Sequence, residues 1–145
     1  MINIEKHFPG EIKELGVKQA LFSACLANLI ETMYNNFSQG ITTPLKTTGI
    51  QIRFGDGCIL PNRKVFHQGG ILKGVIDCVH MIDGCHYMLL AQDLNIFIDG
   101  VWQDKGTEPI WLDVKKIWTE QHPLCRSGLD FGDPNHVSIT HNNKR

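Results

Sequence analysis

The apolar residues in the first quarter of the chain predict one long helix. Within residues 9–37, Leu21, Leu29 and Met33 belong to a run of apolar side chains that recur at three- and four-residue steps, which is the spacing of one helix face. Glu31 is the only formally charged residue in the second half of this segment. A helix with such a wide apolar face is expected to pack against a sheet or a second subunit.

The middle of the chain predicts a strand followed by a second helix. Ile50, Ile52 and Phe54 alternate with polar residues, which is typical of a half-buried strand. Residues 70–82 fit either half of a hairpin or a helix. The helix separates an apolar stripe from a polar stripe that contains Asp77, whereas a strand would mix this charge into an apolar row. We therefore predict a helix over residues 70–82.

The remainder of the chain predicts short strands joined by turns. The strands are expected at residues 87–91, 94–98, 110–118 and 137–140. The third of these also fits a helical spacing, but tryptophan, isoleucine and valine dominate it and favour a strand. Asp99 and Gly100 form a turn signal. The order of elements predicts an α+β protein, with a domain at residues 41–145 preceded by a helical extension at residues 1–40.

The composition excludes several classes of protein. A chain of 145 residues with 42% hydrophobic residues is long enough for one domain with its own core. A formal net charge of -1 provides no basic surface for nucleic acid. The first residues have no signal-peptide pattern, and no run of about 18 apolar residues predicts a membrane span. Five irregularly spaced cysteines indicate reduced thiols, and therefore a cytoplasmic protein.

Residues 61–77 combine a glycine pair with a carboxylate in a way that few structural needs explain. Gly69 and Gly70 stand at the start of the predicted helix, and Asp77 follows two turns later. A helix N-terminus carries unpaired N–H groups and a partial positive charge, and glycine lets a ligand approach the backbone. An anion-stabilising helix end with a base or nucleophile nearby is what acyl transfer requires.

The same residues resemble the hotdog-fold acyl-CoA thioesterases of the phenylacetate-pathway type. That family commonly carries an asparagine, a glycine pair seven residues later, and an acid eight residues after the first glycine. Asn62, Gly69 and Asp77 keep both intervals. The segment 93–96, Asp-Leu-Asn-Ile, is similar to the one that opens the family's strand after the central helix. The resemblance implies a hotdog fold, in which an antiparallel sheet wraps a central helix.

The resemblance also implies hydrolysis of acyl-CoA thioesters. Asp77 would activate water or attack the thioester carbonyl, and the Gly69 N–H would stabilise the oxyanion. The positioning residues that it implies in addition are Asn62 and Gln68, and His67 and Gly70 are candidate substrate-binding residues. Arg126, Lys144 and Arg145 are candidate cations for the phosphates of coenzyme A. Gln68 stands where the family has histidine, or His67 is displaced by one position. The family builds its active site between subunits, so a homodimer or homotetramer is expected, with coenzyme A in the substrate, no other cofactor and no metal.

A non-catalytic module that binds a small molecule or a protein, on a hotdog or small β-barrel scaffold, is the alternative. Asp77 then only pairs with Lys73 one turn away, and Asn62 is an ordinary turn residue. The conformation of residues 70–82 separates the two hypotheses, because a strand there removes the helix that the thioesterase hypothesis requires. At least two of the three tryptophans are expected in the core or at subunit contacts.

Two groups of residues contain side chains that commonly bind metal ions, but neither group has the sequence spacing of a known metal site. The first comprises Cys78, His80, Cys85 and His86, and the second comprises Asp130, Asp133 and Asn135. The first group has no Cys-x-x-Cys pair, so small buried residues are the better interpretation. The second lacks the glycine and the terminal glutamate of a calcium loop. His136 and His141 fall in a predicted tail and are assigned no role.

Overall fold

A computed structural model describes residues 1–38, 49–55, 66–68, 71–74, 85 and 88–142, with the backbone alone for residues 66–68 and 71–74. The helices are α1 (Ile4–His7), α2 (Leu15–Ser38) and α3 (Pro109–Thr119), and a 3-10 turn covers Gly128–Phe131. The strands are β1 (Ile50–Phe54), β2 (Phe66–Gln68), β3 (Ile71–Gly74), β4 (Ala91–Ile98), β5 (Val101–Trp102), β6 (Cys125–Ser127) and β7 (His136–Ile139). The predicted α+β class is confirmed.

Helix α2 is the predicted long helix, although it begins at Leu15 rather than at residue 9. The short helix α1 precedes it, and the Asn3 side chain accepts a hydrogen bond from the Lys6 N–H at the start of α1, which caps that helix. The buried face of α2 follows the predicted spacing and includes Leu21, Cys25, Leu29 and Met33, each at most 1% exposed. These side chains belong to the same core as those of the sheet.

The strand predicted at residues 110–118 is wrong, because Pro109–Thr119 form helix α3. Proline at the first helical position lacks an N–H that would be unpaired there and already has the helical φ. The Glu108 carboxylate accepts hydrogen bonds from the Lys105 N–H (2.7 Å) and the Trp111 indole (3.2 Å). The helix buries Ile110, Trp111, Val114 and Trp118, and burying this one stripe outweighs the β propensity of these residue types.

The main sheet is antiparallel with the strand order β1-β4-β7-β6, and β5 pairs with the end of β4. Strand β1 coincides with the predicted alternating segment. The two strands predicted at residues 87–91 and 94–98 are replaced by the single strand β4. The predicted turn after it is confirmed, since Asp99 and Gly100 have φ values of 49° and 80°, the left-handed pair of a two-residue hairpin.

A separate two-stranded sheet contradicts the predicted central helix. Strand β2 pairs antiparallel with β3, and Gln68 is aligned with Ile71. The first part of the segment 70–82 is therefore a strand. Only the glycine pair separates the two strands in sequence, and Gly-Gly between apolar runs is a strong hairpin signal. Residues 75–82, with Asp77 among them, lie outside the described residues.

Two tryptophans of α3 lie in the core, as predicted for at least two of the three. Trp111 is 1% exposed and Trp118 is fully buried. The Trp118 indole N–H donates to the Ser138 carbonyl at 3.2 Å, and its ring meets Phe22 edge-on at 5.7 Å. Trp118 therefore joins α2, α3 and β7. None of the helices in the described part of the chain is long and apolar enough to cross a membrane.

Cys25, Cys85 and Cys125, the described cysteines, form no disulfide with one another. Cys25 on α2 and Cys125 on β6 lie with their sulfurs 3.9 Å apart and are both buried. The hydrogen bond from the Cys125 thiol lowers the pKa of Cys25. The same bond, together with burial, raises the pKa of the Cys125 thiol. Cys125 is therefore the proton donor of the pair.

Replacing Trp118 by alanine is expected to lower the free energy of unfolding by about 3–5 kcal/mol, because a fully buried indole leaves a cavity. Trp102 is the matched control, since it is 52% exposed and only stacks on Phe97. Its replacement by alanine is expected to cost about 1 kcal/mol or less. Urea unfolding of the two variants measures both values, and equal losses would contradict this description of the core.

Candidate metal centre

The pairing of β4 with β7 brings an aspartate and a histidine together. Asp93 and His136 are aligned across the two antiparallel strands, although 43 positions separate them in sequence. The His136 Nδ1 lies 3.2 Å from the Asp93 Oδ1, and the two side chains are only 6% and 13% exposed. Residues aligned across a sheet have their side chains on the same face. The strand register alone is therefore sufficient to form this pair.

A third side chain, Asp133, reaches the same place from the loop before β7. One ligand atom from each of Asp93, Asp133 and His136 lies within 4.8 Å of the others. The loop is closed by its own backbone: the His136 N–H donates to the Asp133 carbonyl at 3.1 Å, and the Asp133 N–H donates to the Gly128 carbonyl at 2.9 Å. We refer to Asp93, Asp133 and His136 as the acid–histidine cluster.

Gly128 allows the loop to approach the strand. A Cβ atom at this position would lie 2.0 Å from the Asp133 carbonyl oxygen and 2.7 Å from the His136 Cβ, and both distances are far inside van der Waals contact. The 3-10 turn that Gly128 opens is capped by Ser127, whose hydroxyl accepts from the Leu129 N–H. Only glycine at position 128 permits this position of Asp133 relative to His136.

The cluster is covered on one side and bordered by an aromatic ring on another. The Gly55 N–H, directly after β1, donates to the Asp93 carbonyl at 2.7 Å. Phe131 meets the His136 ring edge-on at 5.8 Å and is itself 38% exposed. The end of β1 therefore lies against the cluster, while Phe131 extends from it to solvent.

The donor set is one imidazole and two carboxylates, which fits a divalent transition metal. Calcium and magnesium prefer oxygen ligands only, and structural zinc sites are mostly built from cysteine. Imidazole with carboxylate suits zinc and its neighbours. Two ligands of one tetrahedral zinc ion lie about 3.4 Å apart when each bond is about 2.1 Å. The 3.2 Å between the His136 Nδ1 and the Asp93 Oδ1 is close to that separation.

Asp133 distinguishes this cluster from a simple Asp–His pair. The contact between Asp93 and His136 at 3.2 Å accounts for two of the three side chains. Asp133 adds a second carboxylate within 4.8 Å. A second oxygen donor beside the imidazole is what a divalent metal site would use.

Few of the residues predicted as a site from the sequence are described. Asp77, Gly69, Asn62 and Gly70 lie outside the described residues, and only the backbone of His67 and Gln68, in β2, is described. Arg126 is exposed on β6, and its guanidinium donates to the carbonyls of Pro123 (2.7 Å) and Cys125 (2.8 Å). Strand β2 pairs only with β3 in the described part of the chain, so no sheet joins it to Arg126.

The sequence analysis missed the acid–histidine cluster. Asp133 was considered only as a calcium ligand, and the assignment of His136 to a tail is wrong, because His136 opens β7 and is 5% exposed. The local signal was an aspartate three residues before a histidine at the start of a strand. Asp93 could not be added to it, because the β4–β7 register is not visible in the sequence.

Comparison with known proteins assigns no family to this chain: no family model, no curated protein and no solved structure matches it.

Replacing Gly128 by alanine is expected to displace the loop and to lower the free energy of unfolding by about 1–3 kcal/mol through overpacking. The His136 ring signals in NMR spectra should shift as well. Gly106→Ala is the control, because its Cβ would meet Pro134 at an ordinary 3.5 Å and its loss should stay within about 0.5 kcal/mol. Unchanged His136 signals in Gly128→Ala would contradict the loop geometry.

Proposed function

We propose that this protein is a metal-dependent hydrolase with its site at the acid–histidine cluster. The observation that carries the proposal is the convergence of Asp93, Asp133 and His136, whose ligand atoms lie within 4.8 Å of one another. Histidine and carboxylate ligands are typical of catalytic zinc sites, in which three protein groups leave a position for water or substrate. A zinc-like dication is the ion that this donor set fits best.

A catalytic site is favoured over a structural one by the cysteines and by the exposure of Phe131. The described cysteines lie in the core, where Cys25 and Cys125 pair with each other and the Cys85 thiol donates to the Ile139 carbonyl, so none of them belongs to the cluster. Structural zinc sites rely on cysteine and are closed by four protein ligands. Phe131, which is partly exposed beside His136, offers an apolar surface for a substrate.

The chain's own residues have separate tasks in this mechanism. Asp93 and His136 would hold the ion, and the β4–β7 pairing fixes their separation. When bound, the ion supplies Lewis acidity that polarises a carbonyl oxygen and makes water acidic enough to attack at neutral pH. Asp133, on a loop rather than a strand, accepts the proton of the attacking water as general base. It would then transfer that proton to the leaving group of an ester or amide.

Asp133 has an alternative role. A catalytic zinc ion usually has three protein ligands, and Asp133 is the third donor of the cluster. As a ligand it would complete that set and would no longer be available as the base.

Chelator-treated native protein is expected to bind one zinc ion per chain in a calorimetric titration. Asp93→Asn and His136→Gln should each weaken binding by at least about 100-fold, since even the loss of an outer-shell partner costs 10- to 100-fold. Asp130→Asn is the matched control: Asp130 lies in the same loop region but pairs with Lys115 at the surface. Its affinity should not change. Equal affinity in all variants would rule out the cluster as the site.

The zinc-loaded protein is expected to hydrolyse members of a panel of activated esters, anilides and acyl-CoA thioesters. Asp133→Asn should lower kcat by about 10² or more, which is the usual contribution of a general base, while zinc affinity is retained. Loss of zinc affinity along with activity would make Asp133 a ligand instead. Absence of turnover across the panel would contradict the hydrolase proposal and leave a metal-binding protein.

Acyl-CoA hydrolysis on a hotdog scaffold, with coenzyme A in the substrate and a homodimer or homotetramer, stays a prediction of the resemblance. The helix on which it depended is a strand at Ile71–Gly74, so it is the weaker proposal. The panel above separates the two: thioester turnover that Asp77→Asn abolishes and Asp133→Asn spares would favour the thioesterase. The opposite pattern would favour the acid–histidine cluster.

A further inference from the structure

Beyond the cluster, the structure contains a cavity with a buried ammonium group. The cavity has a volume of about 450 Å³ and lies between the N-terminal segment, the start of α2 and the end of the sheet. Its lining includes Ile12, Lys18, Pro123, Leu124 and Thr140. Thr140 directly follows β7, so this cavity and His136 lie at opposite ends of that strand. At about 3.3 Å per residue the separation is about 13 Å.

Lys18 is unusually buried for a lysine. Only 7% of the residue is exposed, and its ammonium makes one hydrogen bond within the described residues, to the Thr140 carbonyl at 3.1 Å. An ammonium has three donors and is rarely buried without an anion. No carboxylate of the described residues forms an ion pair with the Lys18 ammonium. Glu11, at the rim of the cavity, pairs with Lys13 instead, at 3.1 Å.

The other basic groups of the described lining differ from Lys18. His122 is held neutral in two ways: burial lowers its pKa, and its Nδ1 accepts a hydrogen bond from the Leu124 N–H at 3.2 Å. Lys13 is exposed and pairs with Glu11. Lys18 is therefore the only buried cation of the described lining.

We propose that this cavity is a binding site for a small organic monocarboxylate. The Lys18 ammonium, which uses one of its three donors on the Thr140 carbonyl, would hold the carboxylate with the other two. Ile12, Pro123 and Leu124 would contact an apolar body. One ammonium balances one negative charge, and the nearby Glu11 opposes a second. Phosphate, which carries more charge and has no apolar part, fits this lining less well. The proposal is independent of the metal centre.

The test is an NMR titration of the full chain with sodium benzoate and with N-acetylglycine at constant ionic strength. The Asp93→Asn variant in chelator is used as background, so that carboxylate binding to a metal ion cannot contribute. Saturable shifts of amide signals around Lys18, Leu124 and Thr140 are expected, with a Kd near the millimolar range that a single charged contact supports.

Lys18→Met keeps the length of the side chain and removes its charge, and it should weaken binding at least ten-fold. Lys13→Met is the matched control, because Lys13 lies at the exposed rim of the same cavity and pairs with Glu11. Its Kd should stay within two-fold. Lys18→Gln provides a second variant, which removes the charge but keeps a donor for the Thr140 carbonyl, and weaker binding is expected there too. If Lys18→Met does not fold, Lys18→Gln tests the proposal in its place.

Three results would overturn the proposal. The first is the absence of saturable shifts with either carboxylate. The second is an unchanged Kd in Lys18→Met or, where that variant does not fold, in Lys18→Gln. The third is inorganic phosphate binding as tightly as benzoate, which would show an anion site without the apolar selectivity proposed for the cavity.

Discussion

The register between β4 and β7 is the constraint on which the candidate site depends. It aligns Asp93 with His136, and it places Leu94, the next residue of β4, in hydrogen-bond contact with the Asn135 carbonyl. A slip of one residue would turn Asp93 to the other face of the sheet. The loop that ends at His136 would then lose its partner. One backbone alignment therefore decides whether the two carboxylates and the imidazole meet.

The core keeps that register in place. Leu94 and Ile96 of β4, and Val137 and Ile139 of β7, are each at most 1% exposed, so a shift of either strand would move them out of the core. Trp118 adds a constraint from α3, since its indole donates to the Ser138 carbonyl in the middle of β7. The polar cluster is thus held by an apolar arrangement, which is how a site of converging polar groups can be kept preorganised.

The sequence predicted the elements that carry a strong local signal. Helix α2, strand β1 and the Asp99-Gly100 turn were found because periodicity or turn chemistry determines each of them locally. Helix α3 was missed because its residue types favour strands and only tertiary burial decides between the two. The site itself was out of reach, because Asp93 and His136 meet through a strand pairing, which no local pattern encodes. The glycine pair was interpreted as the start of a helix, although Gly-Gly between apolar runs is also a hairpin signal.

The two ends of β7 give the strand a double role. At its start, His136 takes part in the acid–histidine cluster, and directly after its end the Thr140 carbonyl accepts from Lys18. Between them the strand is fully buried and hydrogen-bonded to β4 and β6. Because a packed core deforms little, these neighbours hold both ends of β7 in place. The Thr140 N–H also donates to the Leu124 carbonyl at 2.9 Å, so a displacement of Thr140 would be shared with the loop before β6. The proposed carboxylate site and the candidate metal centre are therefore attached to one rigid strand, and position along that strand is no evidence of coupling between them.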